Sequence, residues 1–186
     1  ISELIEYHKG IFTILSSCAS RQLEEVTFRR ATISVPELMA TAGKYFRKVY
    51  KGNKAHIDFK IQPLEGRITG DWNQLRFLLE NLIDEACSVT LDGAVCLSAR
   101  EDGEFIRFLF TDMRREKTRE ELNQLFYPDL SRMTAGEKGE LYGTEYLVCK
   151  QIIRDHDEFA GRRGCRINAE PGKEGGFTIY FTLPKK

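Results

Sequence analysis

No stretch of this chain holds about eighteen consecutive apolar residues, and no charged start leads through an apolar run to a small-residue cleavage site, so neither a membrane-spanning helix nor a secretory signal is expected. Neither sign of charge is in excess: 28 Lys and Arg balance 28 Asp and Glu. That balance excludes a global field drawing in nucleic acid or acidic lipid, and it leaves binding to a local site. Histidine is scarce at three residues, and the five cysteines, Cys18, Cys87, Cys96, Cys149 and Cys165, stand far apart with no CxxC pair. The familiar zinc and disulfide spacings are thereby excluded, and scattered thiols fit a reducing cytoplasm, the expected location even for a parent protein anchored in a membrane. Internal repeats and low-complexity tracts are missing as well. The 186 residues suit one domain with a short appendage, and because Ile1 falls inside a helical pattern, a piece of a longer protein is expected.

What is present is strong periodicity. Over residues 1–23, Ile1, Leu4, Ile5, Ile11, Phe12, Leu15, Cys18 and Ala19 recur at steps of three and four, the seam of a bundle-type helix. Residues 31–35 read as a short strand. Ser34, Pro36 and Glu37 then give a hydroxyl cap, an early proline and an acid, the opening of a helix reaching about Tyr50. Ile57, Phe59 and Ile61 alternate with Asp58 and Lys60 as in a half-buried strand, and a further short strand passes through Ile68 to Gly70. Asp71 caps the strongest helix, with Leu75, Leu78, Leu79, Leu82, Ile83, Ala86 and Val89 on its inner side. Residues 94–100 and 105–110 form a hairpin around Asp102-Gly103, followed by a helical piece at 118–126, a polar loop at 131–143, a helix at 144–156 and strands at 165–170 and 177–183. The expected fold is α+β: a two-layer α/β sandwich with a mixed, mostly antiparallel sheet of about five strands, helices on one face, and the bundle-type helix in front.

Four segments in order resemble the ATPase fold shared by gyrase, heat-shock chaperone ninety, histidine kinases and mismatch-repair proteins, with the histidine kinase branch closest. DWNQLRFLLENLIDEACSVT carries Asp71, Leu75, Asn81, Leu82, Glu85 and Ala86 at the spacing of that family's landmark helix. IRFLFTD ends in Asp112, where the family has an aspartate that reads the adenine amino group; LFYP resembles the segment before the ATP lid; GTEYLVCKQII and GGFTIYFTLP resemble the glycine-led helix and the closing strand. The resemblance divides the chain into residues 1–28, the second half of a dimerisation hairpin, and residues 29–186, the ATPase domain. It implies nucleotide-binding roles for Asn81, Glu85, Asp112, Gly143 and Thr144, and Mg²⁺ ligation by Glu85 and Asn81.

Several positions depart from the family. Glu85 stands where asparagine is usual; a carboxylate is an acceptable hard ligand for Mg²⁺ but adds negative charge beside the phosphates. Ser88 replaces a basic residue, Met113, Arg114, Arg115 and Glu116 replace a glycine-bearing stretch, Glu145 replaces the second lid glycine, and Phe177 replaces a threonine. ATP with Mg²⁺ is accordingly expected to bind weakly or not at all. Two functions stand open: a regulatory or phosphotransfer-type module of a two-component system, homodimeric in the full-length protein and contacting a response regulator, or an atypical kinase phosphorylating a histidine outside this chain. A serine-kinase-like anti-sigma regulator is disfavoured by the N-terminal seam. Neither nucleic acid nor membrane contact is expected of this chain. His8 reads as a packing residue rather than a phosphoacceptor, His56 and His156 as surface or sheet-edge residues, the cysteines as core, and the cluster Arg114, Arg115, Lys117 and Arg119, interleaved with acids, as a solvated helix start.

Overall fold

A computed structural model describes residues 28–127 and 144–186. The expected helix over 1–23, with His8 and Cys18, and the loop ending at Gly143 lie outside the described residues. In chain order the elements are β1 (Ala31–Ser34), α1 (Val35–Tyr50), β2 (Ile57–Gln62), β3 (Arg67–Gly70), α2 (Trp72–Ser88), β4 (Gly93–Asp102), β5 (Phe105–Asp112), α3 (Arg119–Gln124), α4 (Thr144–Phe159), β6 (Ile167–Pro171) and β7 (Phe177–Pro184).

The cap signals in the sequence operate as read. Ser34 accepts from the Glu37 amide, and Thr118 and Glu121 close a reciprocal capping box at the start of α3. Asp71 has two tasks: Oδ1 accepts from the Gln74 amide at the start of α2, and Oδ2 accepts from the Arg29 amide, fixing the chain as it enters β1. Gly103 adopts φ +60° in the turn joining β4 and β5, a conformation that favours glycine.

Five strands form one sheet in the order β2-β4-β5-β7-β6, with β2 parallel to β4 and every other pair antiparallel. β1 and β3 do not join it; they pair antiparallel as a separate ribbon, attached to the main sheet through the bridge between Ile68 and Lys185. Register stacks the inner face into rows that run across the strands. Leu97, Phe110 and Ile179 form one row, and Ala99, Phe108 and Phe181 the next, with the Phe108 and Phe181 rings stacked at 5.0 Å. A third row runs Phe59, Val95, Asp112, Phe177. The opposite face carries polar pairs, among them the Thr111 and Thr178 hydroxyls 2.8 Å apart and Arg107 over the Tyr180 ring.

The helices cover the apolar rows. α1 turns in Val35, Leu38, Met39, Ala42 and Phe46; α2 turns in Leu75, Leu78, Leu79, Leu82, Ile83 and Ala86; α4 turns in Tyr146, Cys149, Ile152 and Ile153. These spacings of three and four place each set on one helical face. The expected two-layer sandwich, with its mixed sheet and helices on one side, is the observed architecture.

His156 overturns its expected surface position, being 0% exposed. Its Nε2 accepts from the Asp71 amide at 3.0 Å, and Nδ1 lies 2.7 Å from the Ile152 carbonyl, so the neutral tautomer with its proton on Nδ1 satisfies both. The Phe28 ring packs edge-on against it. A buried backbone donor at the mouth of α2 thus depends on a side chain 85 residues away. His156→Leu is expected to strand the Asp71 amide and destabilise the fold by about 2–3 kcal/mol, read as a lowered midpoint in urea with an unchanged slope.

Candidate functional site

Strand periodicity puts Asp112 where a carboxylate is costly. In β5, Ile106, Phe108 and Phe110 face the helices, and the same alternation turns Asp112 inward between Val95 and Phe177, where it is 1% exposed. A charge removed from water there needs partners. They come from the residues that directly follow it.

Asp112 Oδ1 accepts from the Arg114 amide at 3.0 Å and from Arg114 Nε at 2.9 Å; Oδ2 accepts from Arg114 Nη2 at 2.9 Å and Arg115 Nε at 3.0 Å. A carboxylate offers about four lone-pair sites, and four donors occupy them. Burial alone would push the Asp112 carboxyl up, but the Arg114 hydrogen bonds and the charges of Arg115 and Arg114 outweigh it and hold the group below its ordinary 3.8.

The two arginines differ in what else they hold. Arg114, with a side chain 0% exposed, also donates from Nη1 to the Val89 and Leu91 carbonyls and from Nη2 to the Ala86 carbonyl. All five of its guanidinium N–H groups are therefore used, and they gather carbonyls from the last turn of α2 and the chain just beyond it. Gly93 makes room for the stem: a Cβ there would stand 2.8 Å from Arg114 Cγ, and its φ of +138° favours glycine. Arg115 instead spans two carboxylates. Its Nη1 and Nη2 each donate at 2.8 Å to an oxygen of Glu85, a bidentate pair, while Nε holds Asp112 and the guanidinium lies 5.2 Å from the centre of the Phe177 ring. Burial works against the Arg115 charge, but the Glu85 hydrogen bonds and the carboxylates of Glu85 and Asp112 prevail and keep it protonated.

The surroundings close around this cluster. Tyr146, in the first turn of α4, is buried with its hydroxyl beside the Glu85 carboxylate, without a well-aligned hydrogen bond to it; burial first, then the Glu85 charge and the approach of the hydroxyl to that carboxylate, push its phenol up. Lys117 lies 5.2 Å from the Phe177 ring centre, and the Gly176 amide donates to Glu116 Oε1. Gly176, at φ +70°, packs so closely that a Cβ would collide with the Asp112 carbonyl and Met113.

Of the expected site residues, Glu85 and Asp112 meet through Arg115. Asn81, half-buried one turn before Glu85, turns its amide back to donate to the Phe77 carbonyl at 2.8 Å. Thr144 opens α4, and Gly143 lies outside the described residues. Ser88 donates to the Glu85 carbonyl. The solvated helix start expected for Arg114 and Arg115 is not what forms: these are the site's central cations, drawn inward by the buried Asp112. Of the described cysteines, Cys149 and Cys165 lie in the core and Cys87 packs against it, while Cys96, opposite Thr111, sits half-buried on the other face of the sheet; burial raises Cys87 and Cys96 and pushes Cys165 up to about 12, which does not suit nucleophilic attack. Among the described residues no group of three or more His, Cys, Asp or Glu is placed to hold a metal ion.

A mixed five-stranded sheet under a helical layer is the architecture of the histidine kinase ATPase domain. The family model for histidine kinase-, DNA gyrase B- and HSP90-like ATPases matches residues 70–186, and the chain belongs to that family, in its histidine kinase branch. The adaptive-response sensory kinase SasA of Thermosynechococcus vestitus is 30% identical over 138 residues, a match covering 73% of this chain and 34% of that protein. The chain thus spans about a third of that curated relative. The catalytic domain of histidine kinase ThkA, solved nucleotide-free, is similar in fold at TM-score 0.65 and 19% identity, covering 84% of this chain and 96% of that one. Full-length ShkA, solved in complex with AMPPNP, is similar at TM-score 0.63 and 18% identity, covering 84% of this chain and 31% of that one.

Because the folded Asp112 carboxyl titrates below its ordinary value of 3.8, its contribution is complete above that pH and is lost as pH falls through the depressed value. Asp112→Asn is expected to cost about 3 kcal/mol at pH 7, with the gap to the native chain narrowing as the pH drops below that ordinary value. Urea unfolding at a series of pH values checks both the size and the sign.

Proposed function

We propose that this domain serves a two-component signalling protein as a histidine kinase-like module whose nucleotide site does not take Mg-ATP in the arrangement described. The observation that carries the reading is the fourfold hydrogen bonding of Asp112. An adenine amino group approaching it would find no acceptor site free. Glu85 is equally committed, both oxygens being held by Arg115, so a magnesium ion would have to displace a bidentate guanidinium. Asn81 is turned to its own helix. With these partners in place the residues do not fit Mg-ATP, and no phosphoryl transfer is derived through it.

In this reading Asn81, Glu85, Asp112, Gly143 and Thr144 are the positions of a nucleotide site inherited from the family, with Glu85 and Asn81 the metal-facing pair. Residues 1–28 contribute to a dimerisation hairpin of the longer protein, and the ATPase domain acts through contact with a response regulator or another signalling protein. The place of work is the cytoplasm. Among the described residues no helix is long and apolar enough to cross a membrane.

Thermal unfolding of the chain with and without millimolar ATP and Mg²⁺ tests the reading. The midpoint is expected to stay unchanged. A site with micromolar affinity would instead add about 4 kcal/mol at a thousandfold excess over its dissociation constant. For a domain of this size that is a rise of roughly 10 °C, and such a rise would show that Mg-ATP binds and overturn the reading in favour of the atypical kinase.

A further inference from the structure

We infer that Arg115 is the resident occupant of the nucleotide site and the residue that decides whether the site accepts a ligand. The inference rests on the proposed reading that Asp112 and Glu85 are nucleotide-site positions, and it adds which side chain closes them. The Arg115 side chain hydrogen-bonds to those two carboxylates, Nε to Asp112 and Nη1 and Nη2 to Glu85, with Nη2 also 2.9 Å from Asp112 Oδ2. The guanidinium presents a planar edge of N–H donors to Asp112, the same chemistry as an exocyclic amino group on a heteroaromatic ring, and a positive charge to Glu85, the chemistry of a cation. Its central carbon lies over the Phe177 ring, 5.2 Å from the ring centre.

Arg114 separates the occupant from the scaffold. Its five N–H groups hold three carbonyls at and just beyond the end of α2 as well as Asp112, and it is sealed from solvent, whereas Arg115 hydrogen-bonds to the two carboxylates and keeps 14% of its side chain exposed. Removing Arg115 leaves Asp112 paired with Arg114 and frees one lone pair on Oδ2. Removing Arg114 breaks the join between α2 and β5.

The test uses the 186-residue chain with the substitutions Arg115→Ala, Arg115→Gln and Arg114→Ala, titrated with ATP and with a fluorescent trinitrophenyl ATP analogue, each with and without Mg²⁺. Arg115→Ala is expected to remain folded and to bind the analogue roughly tenfold more tightly or better than the native chain, with ATP competing for the same site. Arg115→Gln, neutral and unable to bridge both carboxylates, should gain in the same direction, while Arg114→Ala should lose thermal stability. If both Arg115 variants fold and bind no better than the native chain, Arg115 is not what closes the site; the native chain's own failure to bind would still stand. Tight binding by the native chain, unchanged in Arg115→Ala, removes both the inference and the proposed reading. Unfolding of both Arg115 variants makes Arg115 a structural residue and also overturns the inference.

Discussion

One buried carboxylate sets the terms for this end of the molecule. Asp112 occupies a core position because it continues the alternation of Ile106, Phe108 and Phe110, and a charge in that row must be compensated or neutralised. The chain compensates it locally, with two arginines at the next positions but one and two. The backbone leaving β5 therefore folds back over its own strand end, bringing Arg114 to the end of α2 and Arg115 to its flank. The C-terminus of α2, the setting of Glu85 and the packing of Phe177 all follow from that arrangement.

Most of the fold was legible in the sequence because its cues are local. Alternation over residues 105–112, three-and-four spacing along α2, the cap residues Ser34, Asp71 and Thr118, and the Asp102-Gly103 turn each act within a few residues of where they are read. The separate pairing of β1 with β3 was not legible, since which strand a short apolar run joins depends on partners distant in the chain.

The site was legible in part for the same reason. Asp112 stood out as an acid ending an apolar strand, and Glu85 as a helix position at family spacing. Their partners did not stand out. Arg114 and Arg115 head a stretch alternating with Glu116, Glu120 and Glu121, a composition that usually means a solvated surface; only the burial of Asp112 and the carbonyls of Ala86, Val89 and Leu91 turn it inward. Asn81 likewise had the right face and spacing but spends its amide on Phe77. His156 was misjudged in the same manner, a polar residue near a helix end whose acceptor role depends on a strand-to-helix junction far earlier in the chain.

The close approach of Gly93 to Arg114 bears on how such a chain can change over generations. Any side chain at Gly93 competes for the volume that the arginine stem fills, so neither position is free to drift while the other is kept. Loss of the arginine would clear that volume but not the backbone, whose φ of +138° strains any side chain at Gly93. The glycine is thus held twice, once by the stem beside it and once by its own torsion.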